Sequence, residues 1–235
     1  MKTVLHKAES RGHANYGWLN TNYTFSFANY FDPNRIHFGT LRVLNDDYIE
    51  GGHGFDRHPH DNMEIITIML EGELKHEDSM GNSFVLHEHE IQTMSAGTGI
   101  FHSESNNSSD KPAKLLQIWV FPKHKNIQPQ YGLTGFSPEE RKNKWHLVVS
   151  SAKPGTALIH QDAYFSLISM DENLEIDYQM YDSNNGVYVF MIDGEVQAGD
   201  THLKKRDGAG IWDTTSIPFK ASKKSEVLVM EVPMK

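Results

Sequence analysis

The sequence predicts an all-β protein built as two barrels. Three observations carry this. Short apolar or alternating runs dominate the chain. Glycine, asparagine, aspartate or proline bounds most of them. And two stretches of the first half recur, in the same order, in the second. "EIITIMLEGEL" at 64–74 matches "GVYVFMIDGEV" at 186–196: each is a buried strand, an acidic-Gly-Glu turn and a following strand. "AGTGIFHSE" at 96–104 matches "DGAGIWDTT" at 207–215, with Gly97, Gly99 and Ile100 opposite Gly208, Gly210 and Ile211. The offsets are 122 and 111 residues, which implies a shorter intervening loop in the second half. Two ordered matches indicate an internal duplication. Many short strands in a duplicated chain favour barrels or jelly rolls, and 235 residues suffice for two small cores.

In chain order, "IHFGTLRVL" (36–44), "MEIITIMLEG" (63–72), "ELKHEDS" (73–79) and "AKLLQIWVFP" (113–122) read as strands. "DSMGNSFVL" reads as a hairpin turning at Gly81-Asn82. "AYFSLISM", "GVYVFMIDGEV" and "SEVLVMEVP" repeat the style in the second half. Helix signal is confined to "SPEERKNKW" at 137–145, where Ser137 caps, Pro138 takes the first helical position and glutamates follow. This piece falls near the midpoint and is expected to join the two lobes.

Composition excludes several chemistries. Without cysteine there are no disulfides, thiolate ligands or thiol nucleophiles, so a metal site must use nitrogen and oxygen. A formal charge of -9 gives no global attraction to nucleic acid or anionic membrane. No run approaches a membrane span, and "MKTVLHKAES" lacks the apolar core of a signal peptide, so a cytoplasmic protein is expected. Histidine is in excess: of 14, eight lie between His53 and His124.

Those histidines are patterned. In "GFDRHPHDNMEI" (54–65), His58 and His60 would share one face of a strand, with Pro59 suited to an edge. His102 and Glu104 in "GTGIFHSESN" form a second such pair, after Gly97 and Gly99, which allow a tight turn. Facing each other, the pairs offer three imidazoles and a carboxylate, a set suited to a divalent first-row metal with positions left open. By strand parity Glu64 shares the face of His58 and His60; it could be a ligand, orient one, or lie beside the site. His87 and His89 in "LHEHE" have the same spacing but fall where a turn is expected, so they read as solvated.

The spacing Gly52-x5-His58-x-His60-x3-Glu64-x7-Gly72 resembles the first motif of the cupin superfamily, with one extra residue before the last glycine. Gly99-x2-His102-x3-Asn106 resembles the second, with Gly97 at its usual proline position. More narrowly, "TFSFANYFDP", "FGTLRVLNDD", "GFDRHPHDNMEI", "LKHEDSMGN" and "QTMSAGTGIFHSESN" resemble the pirin family, in its bacterial quercetinase-like branch. These cover most of residues 20–125; the C-terminal half resembles the family loosely.

The resemblance implies a bicupin of two jelly-roll barrels, 1–135 with the metal and 136–235 degenerate and metal-free. It implies one divalent metal per chain on His58, His60, His102 and Glu104, Fe(II) first, with Mn, Co, Ni, Cu or Zn compatible with the donors. Its carboxylate falls on Glu104 rather than Glu64. By the two offsets, His58 and His60 face Met180 and Asp182, and His102 and Glu104 face Asp213 and Thr215. The implied activity is O₂-dependent cleavage of flavonols such as quercetin with release of carbon monoxide, Glu104 acting as catalytic base. Phe25, Phe27, Phe38 and Phe55 are candidates for the wall around a flat substrate. The alternative is a metal- or redox-sensing regulator acting through a protein partner.

Overall fold

The computed structural model describes all residues 1–235. The first half contributes β1 (Lys2–His6), β2 (Gly12–Asn15), β3 (Leu19–Tyr23), β4 (Leu41–Ile49), β5 (Gly54–His60), β6 (Glu64–Glu71), β7 (Glu73–Asp78), β8 (Ser83–His87), β9 (Glu90–Ser95), β10 (Ile100–Asn106), β11 (Ala113–Val120) and β12 (Gln130–Gly135). The second half contributes β13 (His146–Ser150), β14 (Ala157–Leu158), β15 (Tyr164–Met170), β16 (Glu175–Gln179), β17 (Asn185–Asp193), β18 (Glu195–Ala198), β19 (Thr201–Lys204), β20 (Gly208–Trp212), β21 (Ser216–Ala221) and β22 (Ser225–Pro233). The chain is a two-barrel, all-β bicupin. No helix is long and apolar enough to cross a membrane.

Each barrel pairs a seven-stranded sheet with a four-stranded one. The N-terminal barrel has orders β12-β9-β6-β11-β4-β3-β2 and β5-β10-β7-β8. The C-terminal barrel repeats this as β1-β20-β17-β22-β15-β13-β14 and β16-β21-β18-β19. One strand crosses the expected division at residue 135: β1, from the chain's start, pairs antiparallel with β20 in the C-terminal sheet. The large sheets pack face to face. Leu44, Ile66, Ile118 and Val120 of one meet Phe165, Leu167, Phe190 and Leu228 of the other in a shared buried cluster, the apolar burial that joins the barrels.

The duplication is visible in the topology, but its second register differs from the sequence match. β6 and β17 correspond, and both end in a glycine with positive φ, Gly72 at 80° and Gly194 at 86°. β20, however, occupies the place of β9, and β21 that of β10. The "GTG"/"GAG" likeness therefore aligned a turn with a strand. By sheet position His58 and His60 correspond to Tyr178 and Met180, and His102 and Glu104 to Ile217 and Phe219. Asp182, Asp213 and Thr215 are not the counterparts. Tyr178, Ile217 and Phe219 lie in the apolar core of the second barrel, with Met180 packed against it. The space that histidines line in one barrel is filled with hydrocarbon and aromatic rings in the other.

Two local expectations shift. The strand predicted over 36–44 begins at Leu41 and runs to Ile49, because Phe38–Leu41 closes a tight turn with mutual backbone bonds. The helix predicted over 137–145 is a single 3-10 turn, Pro138–Arg141, with the Ser137 N–H donating to Glu140. Lys142 then bridges Ser169 of β15, and this sheet contact ends the helical turn.

Candidate metal centre

Three imidazoles meet at the mouth of the N-terminal barrel. β5 and β10 pair antiparallel with His58 opposite His102 and Ile100 opposite His60. Pro59 points outward between the two inward histidines, as strand alternation requires. The ring centroids of His58, His60 and His102 are separated by 4.4–4.9 Å, and donor atoms of all three fall within 4.8 Å of one another. A register shift between His102 and Glu104 leaves an extra residue on β5. This bulge reverses the alternation, so Phe55 joins the histidines on the inner face and lines the cavity beside them.

The hydrogen bonds prepare the rings as ligands. His58 Nδ1–H donates to the Asp56 carbonyl at 2.7 Å, which leaves a lone pair on Nε2. His102 Nδ1 lies 3.4 Å from His76 Nδ1, and His76 Nε2 lies 3.3 Å from Asp78 Oδ2. A carboxylate only accepts. Hence His76 donates from Nε2, accepts at Nδ1, and takes the proton of His102 Nδ1–H. The tautomers follow from this network, and they leave His102 Nε2, which is buried without a partner, with a free lone pair. Burial also depresses basicity: His60 is held down at about 4 and His102 at about 3. Both are neutral near pH 7 and can bind a cation without first losing a proton.

Glu104 sits behind the three rings. One of its oxygens lies within 4.8 Å of a ring nitrogen each of His76 and His102, a second group distinct from that of His58, His60 and His102. Gln92 Nε2 donates to Oε1 and Gln117 Nε2 to Oε2, each at 2.9 Å. Tyr131 O–H in turn donates to Gln92 Oε1 at 3.2 Å. A carboxylate has about four lone-pair directions, so both oxygens keep capacity for a metal or a proton. The donor set and the orphaned Nε2 fit a divalent first-row cation.

Glu64 stands elsewhere. Between His60 and Glu64 the chain turns through Asn62 (φ 44°) and enters the other sheet, so parity does not carry across. Ile65 lines the cavity; Glu64 shares the opposite face with Ile66 and Ile68, against the C-terminal barrel. There Ser95 Oγ donates to it at 2.6 Å, and burial raises its pKa. His87 is exposed at the end of β8 and His89 sits in the following turn with φ 67°, both apart from the site. Gly97 is also explained: at φ 48° a Cβ would collide with the Ile127 carbonyl.

The cavity before the rings measures about 300 Å³ and is walled by Leu19, Tyr23, Phe27, Phe55, Ile65 and Trp119. Of the four phenylalanines expected there, Phe27 and Phe55 line it; Phe25 and Phe38 belong to the core between the barrels. Sequence reasoning missed His76, Gln92, Gln117 and Asp47. Only Gln117 is a single polar residue inside an apolar run, "LLQIWV"; His76, Gln92 and Asp47 have polar neighbours in "ELKHED", "EIQTMS" and "LRVLNDDYI" and gave no such signal. Asp47 is the most perturbed: burial pushes its carboxyl up to about 7, with Thr21 opposing and the charges of Asp46 and Glu104 adding.

Comparisons with known proteins agree with this architecture. A family model described as Pirin matches residues 4–120, and one described as Quercetinase C-terminal cupin domain matches 147–232. A protein of Escherichia coli K12 named quercetin 2,3-dioxygenase is 43% identical over 230 residues, 97% of this chain and 98% of its own. A Caulobacter vibrioides pirin-like protein is 35% identical over 222 residues, 94% and 95%. The crystal structure of the E. coli bacterial pirin YhhW in complex with nickel(II) superposes with a TM-score of 0.93 at 41% identity, covering 99% of both chains.

Proposed function

The chain belongs to the pirin family, and from that premise we propose that it is a metal-dependent dioxygenase of the quercetin 2,3-dioxygenase type. The observation that carries the proposal is the meeting of His58, His60 and His102, with Glu104 lining the same aromatic-walled cavity of substrate size. These four would hold one divalent ion, Fe(II) in our reading; that the E. coli relative was crystallised in complex with nickel(II) supports a bound divalent metal. When bound, the ion supplies a Lewis acid for a chelating oxygen pair and the redox chemistry for O₂.

The rest falls to the chain's own residues. Phe27, Phe55 and Trp119 flank a flat ring and exclude water. Glu104, oriented by Gln92 and Gln117, takes the proton of the flavonol 3-hydroxyl as general base. The overall reaction adds both atoms of O₂ to the flavonol and expels one ring carbon as carbon monoxide. The test is quercetin consumption and carbon monoxide release by iron-reconstituted protein against its metal-free form. Turnover only with iron supports the reading. No turnover of any flavonol at full iron occupancy removes it, and a regulatory role through a protein partner replaces it.

A further inference from the structure

The metal cavity has a second polar end that the chemistry above leaves unused. Buried side-chain atoms without a hydrogen-bond partner are uncommon and call for a cause. Five of them belong to residues lining this one cavity: His102 Nε2, Trp119 Nε1, Thr21 Oγ1, Asn45 Oδ1 and Asp47 Oδ1. The metal accounts for the first. The last three stand together on β3 and β4. Thr21 is directly opposite Asp47 across the ladder, where its hydroxyl lowers the Asp47 pKa without completing a hydrogen bond, and Tyr23 is opposite Asn45. Their exposures are 1%, 4% and 5% for Thr21, Asn45 and Asp47, so all three are buried in the cavity wall.

The neighbouring carboxylate shows that the absence of a partner is particular to this face. Asp46, one residue earlier, is paired with Arg11 and Arg206. Asp47 points the other way, into the cavity, with no cation paired to it. An ordinary core would place an apolar residue at Asp47, as the second barrel does with Ile168 at the same sheet position. Retaining three acceptors in an apolar wall costs stability, and such costs are characteristic of binding sites.

We propose that Thr21, Asn45 and Asp47 form a substrate-binding station that accepts hydrogen bonds from hydroxyl groups on the end of the ligand remote from the three imidazoles. The site then selects polyhydroxylated aromatics: one end chelates, the other brings O–H donors to oxygen acceptors. This rests on the flavonol reading and narrows it. A flat chelator lacking remote hydroxyls would strand the acceptors, and discrimination against a ligand that fails to pair buried polar groups is strong.

Two probes isolate the effect. 3-Hydroxyflavone and quercetin share the 3-hydroxy-4-keto pair, but only quercetin carries further hydroxyls. Both are titrated anaerobically, by calorimetry, into iron-loaded wild-type protein and into Thr21→Val, Asp47→Asn and Asp47→Leu. Wild type should bind quercetin at least about 10-fold more tightly than 3-hydroxyflavone, the scale of one or two hydrogen bonds. Asp47→Leu should bring that ratio near one without weakening 3-hydroxyflavone. Thr21→Val and Asp47→Asn, nearly isosteric and expected to fold even if Asp47→Leu does not, should reduce it partway. Equal affinities in wild type, or an unchanged ratio in all three variants, overturns the station while leaving the flavonol reading intact. Failure of both flavonols to bind wild type overturns both readings.

Discussion

His76 Nδ1 lies 3.4 Å from His102 Nδ1, and the far nitrogen of the same ring lies 3.3 Å from Asp78 Oδ2. Asp78, by accepting, fixes which nitrogen of His102 keeps its lone pair. His76 is fully buried and stacks on Tyr131 at 4.7 Å, so the ring has little freedom to reorient. A charge one ring removed from His102 thus sets the state of a proposed metal ligand.

Asp78→Asn should therefore weaken metal binding by about 10- to 100-fold, the usual scale for such supporting partners. The amide would donate to His76 Nε2, move its proton to Nδ1, and drive the His102 proton onto Nε2, where a metal must bind. Oδ1 would still accept from the Met80 and Asn82 N–H groups, which keeps the hairpin, while the bond from Asn82 Nδ2 to Oδ2 is lost. Metal titration gives the affinity, and long-range ¹H–¹⁵N correlation spectra of the metal-free protein report the tautomers. Unchanged His102 tautomer and affinity would dismiss the relay.

Ligands and look-alikes should separate cleanly. His60→Ala and His102→Ala should nearly abolish binding, while His87→Ala and His89→Asn should bind normally, since His87 is exposed and His89 occupies a turn that asparagine tolerates. Elemental analysis after reconstitution should give one metal per wild-type chain, because Tyr178, Met180, Ile217 and Phe219 fill the corresponding space of the second barrel. Two tightly held equivalents, or equal effects from the two sets, would contradict the assignment.

Glu104 and Glu64 should also part company. At matched iron occupancy, Glu104→Gln should slow quercetin turnover at least about 100-fold, the lower scale for losing a general base. Glu64→Gln should leave turnover near wild type, because its side chain meets Ser95 on the outer face of β6. A fully active Glu104→Gln beside a dead Glu64→Gln would reverse their roles.

Asp47 should destabilise the metal-free protein in a pH-dependent way. Its folded pKa, about 7, lies above the ordinary 3.8. Below pH 4 both states hold the proton and there is no penalty. Between pH 4 and 7 the unfolded chain releases a proton that the folded chain keeps, so the penalty grows, then levels above 7. Its ceiling is about 4 kcal/mol. Asp47→Asn removes it, so the variant's advantage in urea unfolding should widen from pH 4.5 to 7.5. A gap independent of pH would place the cost of Asp47 outside its ionisation.

The sequence by itself determined the strand content, the duplication, and two same-face pairs proposed as metal ligands, His58 with His60 and His102 with Glu104. Alternation within one strand needs no knowledge of any other strand, and residues two apart share a face wherever that strand lies. It also marked the Gly81-Asn82 hairpin, observed between β7 and β8, because turn chemistry is local. Tertiary structure decided everything that depends on how strands register. The turn at Asn62 reset parity and sent Glu64 to the face between the barrels. The bulge on β5 brought Phe55 inward. Sheet order moved the counterparts of His102 and Glu104 from Asp213 and Thr215 to Ile217 and Phe219. His76, Gln92, Gln117 and Asp47 come from four strands and carry no motif among them; only closure of the barrel, which stacks residues distant in sequence around one cavity, makes them neighbours.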